Sequence, residues 1–215
     1  MNIIFNFLSS LLTSIFKVTG DYGLSIVLLT IVVRITLSPM SFRQKKYMNQ
    51  QQKLSVKMQE VKEKYKDNKK RLDEEVKKQS TESAKGMLGC LVSLIQFPIL
   101  MTMWSVINKM HVNVGTFLIP WVSSIKNVDG YFIVPLVYML ISLTPSLLSY
   151  VPFLKIEGQA AMNKSNIIIM ALVGIFVAKA VPVAVGIYLI TTSIFTFLEE
   201  LVFRIYMRKV KVNNV

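Results

Sequence analysis

A single arginine stands in the middle of an apolar run long enough to cross a membrane. Residues 22–42 read YGLSIVLLTIVVRITLSPMSF, and Arg34 lies well inside them. At ~1.5 Å per helical residue, a run of about 20 residues covers a hydrocarbon core of ~30 Å. An arginine at the centre of such a helix costs ~2.5–3.5 kcal/mol, while each aliphatic residue from Leu24 to Leu37 returns ~0.3–0.6 kcal/mol. The run therefore still inserts. Thr30, Arg34, Ser38 and Ser41 recur at helical spacing, so the polar groups share one stripe and the rest of the surface is aliphatic. Lipid offers a guanidinium no partner, so the stripe is expected to face protein or water and to be functional.

The remaining composition follows the same logic. A mean hydropathy of +0.49 with 53% hydrophobic residues is too apolar for a soluble domain and implies several spans. The net charge of +13 must then sit between the spans, where it reports topology. Cys90 is the only cysteine and His111 the only histidine, which leaves no internal disulfide and no metal cluster. There is no nucleophile–base pair, no paired catalytic acid at membrane depth and no phosphate-binding glycine loop. The chain is read as a non-enzyme without a cofactor.

In order, residues 1–20 are predicted to form an amphipathic interfacial helix, with Leu8, Leu11, Leu12, Ile15 and Phe16 opposite Ser9, Ser10, Thr13 and Lys17. No basic segment precedes its apolar residues, which argues against a cleaved signal peptide. Residues 21–42 are the first span. Residues 43–85 are densely basic, with a thin apolar seam at Leu54, Met58, Val61 and Tyr65 and a turn at Asp67 and Asn68. This predicts a cytoplasmic helical hairpin. Its acids are interleaved and no aromatic platform is present, so sequence-specific nucleic-acid binding is not expected. A second span over 86–109 contains Gln96 and Pro98. A loop at 110–130 carries Phe117, Leu118 and Trp121 and is placed outside. The third span, 131–151, holds Pro135 and Pro145, where kinks are expected. A short cytoplasmic loop covers 152–166. The apolar stretch from 167 to 203 folds back at Pro182, giving a fourth span over 167–181, a fifth over 183–204 and a basic tail at 205–215. Placing Arg204, Arg208, Lys209 and Lys211 on the same side as the hairpin requires this even count. The result is an all-α polytopic membrane protein with five spans, amino end outside and carboxyl end cytoplasmic.

The fifth helix carries Thr192, Ser193, Thr196, Glu199 and Glu200 along one face. Counted at ~1.5 Å per residue from the cytoplasmic ends, Arg34, Gln96 and Thr196 all lie ~12–14 Å deep. Polar groups on three helices at one level imply a hydrophilic pocket open to the cytoplasm. Its candidate lining is Thr30, Arg34, Ser38, Gln96, Thr192, Ser193 and Thr196, with Glu199 and Glu200 as candidate charge partners of the arginine. Such a pocket suits a polar peptide segment better than a reaction. A small channel or transporter using Arg34 as an anion site is the alternative.

Several stretches together resemble the YidC/Oxa-type membrane protein insertases: YGLSIVLLTIVVRITLSP around Arg34, VKEKYKDNKKRLDEEVKK in the hairpin, GCLVSLIQFPILMTMWSVI in the second span, FLIPWVSS with DGYFIVPLVYML, and IYLITTSIF in the last helix. The resemblance implies a minimal bacterial plasma-membrane form with a positively charged groove, matched here by Arg34 and Gln96. That groove receives polar parts of nascent membrane proteins and releases their apolar helices into the bilayer. Besides nascent membrane proteins and the lipid bilayer, the resemblance makes the Sec translocon, the signal recognition particle system and the ribosome candidate partners. Ala184, Leu189, Ser193, Glu199 and Glu200 depart from the family's usual residues, as in a specialised paralogue.

Overall fold

The computed structural model describes residues 2–64, 101, 104–105, 107, 115–154 and 181–213. All secondary structure among them is helical: α1 (Asn2–Thr19), α2 (Tyr22–Lys64), α3 (Ile133–Leu147) and α4 (Val183–Asn213), with 3-10 turns at Leu148–Tyr150 and Pro152–Leu154. Two stretches, Tyr22–Leu54 in α2 and Val183–Val210 in α4, are long and apolar enough to cross a membrane, and α3 is a shorter apolar helix. The predicted fourth span, most of the second, and the turn and return arm of the hairpin lie outside the described residues.

The turn between α1 and α2 follows from its residues. Gly20 takes φ 69°, a left-handed value that ends a helix at least cost in glycine. Asp21 then caps α2, its Oδ1 accepting the Leu24 N–H at 2.8 Å. The rings of Phe16 and Tyr22 stack across the turn at 3.8 Å. The apolar side of α1 packs on protein, with Leu8 and Leu12 buried in a core that includes Ile26, Leu29, Ile107 and Val185.

The segment 115–132 joins the helices at this end. Asp21 accepts the Thr116 hydroxyl at 2.8 Å and the Phe117 N–H at 2.7 Å. Asp129 accepts Trp121 Nε1 at 3.2 Å, the Tyr131 N–H at 3.0 Å and the Val134 N–H at 2.8 Å, so it holds the first turn of α3. The Asn127 and Ile125 carbonyls accept the Val183 and Ala184 N–H groups, both at 2.9 Å. Donors that a helix start leaves bare are thus satisfied by the loop. The amino ends of α2, α3 and α4 therefore share one end of the molecule, and the three helices run parallel.

The far end is basic and is tied differently. Phe42 meets Phe203 and Tyr206 edge to face at 5.2 and 5.3 Å. Lys45 Nζ lies 2.8 Å from Glu200 Oε2, and Arg204 donates to Glu200 Oε1 and to the Leu154 carbonyl, both at 2.9 Å. Arg208 sits 3.5 Å over the Phe153 ring. α2 passes through position 43 without a break, so the predicted first span and the first arm of the hairpin form one helix.

The prolines of α3 sit where they do little harm. Pro135 is the third residue of the helix, where a missing N–H would have had no helical partner. Pro145 leaves the Ile141 carbonyl without its backbone donor, and the Thr144 hydroxyl takes that place at 2.6 Å. Gly186 lets α3 and α4 approach closely, since a Cβ there would lie 2.5 Å from Val134 Cγ1. On their outer faces the helices stay apolar: Leu24, Leu28, Val32 and Ile35 on α2, Leu136 and Leu140 on α3, and Ile194, Leu198, Val202 and Ile205 on α4 are all exposed. Apolar stripes turned outward on packed helices suit lipid.

Burial alone would raise the Asp21 carboxyl, but the N–H groups of Leu24 and Phe117 and the Thr116 hydroxyl hold it below the usual carboxylate range. A depressed folded value stabilises above the unfolded one, at about pH 3.9, and that contribution disappears as pH falls through the folded value. Asp21→Asn is expected to cost about 1 kcal/mol at neutral pH. Thermal melts in detergent should show the gap between the two proteins closing below about pH 4, where wild type loses the same contribution.

Candidate functional site: a polar seam between two helices

Polar side chains of α2 and α4 meet along one seam. On α2, Thr30 is buried and its hydroxyl bonds back to the Ile26 carbonyl at 2.6 Å. One turn on, the half-buried Arg34 lies within electrostatic reach of Tyr188 and Glu199 of α4. Ser38 and Ser41 turn toward the Glu199 carboxylate, which also feels Lys45. On α4, Tyr188 and Thr192 are buried, and the Thr196 hydroxyl bonds to the Thr192 carbonyl at 2.9 Å. The half-buried Arg34 thus stands at the contact between two helices.

Of the candidate residues, the seam gathers Thr30, Arg34, Ser38, Thr192, Thr196 and Glu199. Ser193 sits ~100° round the helix from Thr192, at the margin of the seam. Gln96 lies outside the described residues. Glu200 is engaged by Lys45 and Arg204, which leaves Glu199 as the carboxylate beside Arg34. Tyr188, Ser41 and Lys45 belong to the arrangement without having been singled out as site residues. Tyr188 was legible in principle, because 188, 192, 196 and 199 continue one helical stripe, as do 34, 38, 41 and 45.

Charge in the seam is mixed. Arg34 faces Glu199 while Lys45 and Arg204 share Glu200. One carboxylate oxygen, Glu199 Oε1, is buried with no hydrogen-bond partner among the described residues. Toward the loop end the seam gives way to the apolar core of Ile26, Leu29, Ile119 and Val185. An open crevice of about 510 Å³ runs along a neighbouring face between Val27 and Ile31 of α2, Leu118 and Ile119 of the loop, and Ile187, Ile190 and Ile194 of α4. It is apolar, and no charged group of the seam lines it. An arrangement of hydroxyls and opposed charges without a nucleophile–base pair can hold a polar chain and exchange hydrogen bonds with it.

A profile of the family described as 60Kd inner membrane protein matches residues 14–210. The chain is 33% identical over 191 residues to the protein named membrane protein insertase YidC 2 of Listeria innocua, covering 85% of this chain and 63% of that relative. It is 37% identical over 125 residues to membrane protein insertase YidC of Aquifex aeolicus, covering 57% of this chain and 24% of the relative. To the protein of the same name in Caldanaerobacter subterraneus subsp. tengcongensis it is 27% identical over 207 residues, or 95% and 94% of the two chains.

Proposed function

This chain belongs to the 60Kd inner membrane protein family, the YidC/Oxa-type family, and from that premise we propose that it inserts nascent proteins into the bacterial plasma membrane. The polar seam is the place where a polar client segment is received, and the observation that carries this reading is a half-buried Arg34 within electrostatic reach of Tyr188 and Glu199, in helices whose outer faces are apolar. Five spans are part of the proposal. Three parallel helices need two returns of the chain between them, and the basic ends of α2 and α4 then fall together on the cytoplasmic side.

The mechanism is partial solvation. Hydroxyls and charges in the seam lower the cost of bringing a client's polar residues below the headgroups, and Arg34 attracts acidic groups among them. Closure of the loop end by Asp21, Asp129 and the apolar core favours a one-sided groove over a channel. The client's apolar span then leaves for lipid, gaining ~25 cal/mol per Å² removed from water. This scheme requires no nucleotide. Nascent membrane proteins and the bilayer are the partners this scheme needs, and contacts with the Sec translocon, the signal recognition particle system or the ribosome would act by delivering clients.

Photocrosslinkers placed at positions 34, 96 and 192, with exposed Leu140 as a lipid-facing control, test the reading. Stalled nascent membrane proteins are expected to crosslink from 34, 96 and 192 through their polar tails. Crosslinks only to lipid from all four positions would remove the seam from the function.

A further inference from the structure

Among the buried polar atoms without a partner in the described residues, Glu199 Oε1 is the one that belongs to a carboxylate, and the insertase reading leaves it unused. We infer that Glu199 determines which polar segments the seam accepts, making it a two-sign site: Arg34 takes an acidic group and Glu199, nearer the basic end, takes a basic one. The inference rests on the reading above and deepens it.

Glu199 is 9% exposed, and its Oε1 has no hydrogen-bond partner among the described residues. A buried carboxylate oxygen without a donor is unfavourable, and a donor brought by a ligand removes that penalty. The groups that face it are known. Ser38 and Ser41 of α2 hydrogen-bond to the carboxylate, which leaves Oε1 as its bare atom, and Arg34 and Lys45 are within electrostatic reach. Lys45 is held elsewhere, 2.8 Å from Glu200 and 3.4 Å from the Thr196 carbonyl. Glu200 has one cationic partner on each oxygen, Lys45 on Oε2 and Arg204 on Oε1. The adjacent carboxylates thus differ: Glu200 is ion-paired through both oxygens, while Glu199 keeps one oxygen with no hydrogen-bond partner among the described residues.

The spacing defines a substrate class. From Arg34 to the Ser38–Ser41 level where Glu199 sits is four to seven residues of α2, ~6–10 Å along the axis. Two or three residues of extended chain, at ~3.3 Å each, cover that distance. The preferred segment is a polar tail with an acidic residue and, two or three positions away, a lysine or arginine. A purely acidic tail meets an arginine whose field Glu199 already offsets.

The test uses the full chain in proteoliposomes and single-span clients that differ only in the translocated tail: glutamine at both test positions, aspartate alone, lysine alone, or aspartate and lysine three residues apart. The readout is the protease-protected tail. Wild type is expected to insert the paired tail best, and Glu199→Gln to erase that advantage. The same variant should raise the aspartate-to-lysine insertion ratio about ten-fold, the effect of one charge-assisted hydrogen bond. A ratio within about two-fold of wild type overturns the inference. Should the variant fail to fold, wild type alone decides: lysine tails inserted as well as glutamine tails support it, and a deficit of about ten-fold overturns it. Glutamine-tail insertion with an unchanged ratio sinks the role of Glu199 alone, whereas no insertion of any client above protein-free liposomes sinks the insertase reading too.

Discussion

Arg34→Ala is expected to lower insertion of a client with an acidic tail by about ten- to a hundred-fold while leaving a glutamine-tailed client within about two-fold. At 4 Å and an effective dielectric near 20, a full charge pair is worth ~4 kcal/mol. Desolvation and the neighbouring Glu199 take back part of this. A remainder of ~1.4–2.8 kcal/mol gives the stated range. Arg34→Lys keeps the charge but loses the guanidinium fork, so it should fall between the two. The measurement is the protected fraction of each tail in reconstituted vesicles. Equal loss for acidic and glutamine tails would mean that Arg34 braces α2 against α4 and attracts nothing.

Asp129→Ala should unfold the loop end. Asp129 is 2% exposed and accepts three hydrogen bonds, one from an indole and two from backbone N–H groups. The bond from the Val134 N–H is buried and the other two are part-buried. A buried donor left without an acceptor costs ~1–3 kcal/mol and a part-buried one less, so the substitution is expected to remove about 3 kcal/mol. Thermal unfolding in detergent should fall by about 10 °C, at ~2–4 °C per kcal/mol for a chain of this size. Segment 115–132 should become protease-sensitive at lower temperature than the helices. Asp129→Asn retains one acceptor oxygen and should lose roughly half as much. An unchanged melting temperature for the alanine variant would show that the loop is held by its apolar contacts, through Ile119 and Ile125, without the carboxylate.

These two residues differ in how far the sequence exposed them. Arg34 was conspicuous because a charge in an apolar run violates the pattern around it, and its stripe partners followed from a 3.6-residue period. Asp129 violates nothing. A lone aspartate between Val128 and Gly130 reads as an ordinary turn, and its partners bracket it on both sides. Asp21 is similar, since its cap on Leu24 was local and readable while its bond to Thr116 joins residues 95 apart. The prolines of the third span were legible as missing donors, but what replaces those donors was not. Pro135 lies in the first turn, where no helical donor is needed, while Pro145 does remove one, and only the structure shows the Thr144 hydroxyl on the Ile141 carbonyl.

The sequence by itself determined the helical, membrane-spanning character of the chain, the position of Pro182 before the last helix, and the stripes that hold Arg34 and Thr196. These depend on composition and on a short period, which act within one helix. Only the tertiary structure decided that Glu199 faces the seam while Glu200 binds Lys45 and Arg204, and that one loop ties together the amino ends of three parallel helices. Adjacent residues on a helix diverge by ~100°, so the choice between them belongs to how α2 and α4 are rotated against each other. That rotation is set by packing over the whole interface, which no local run of residues records.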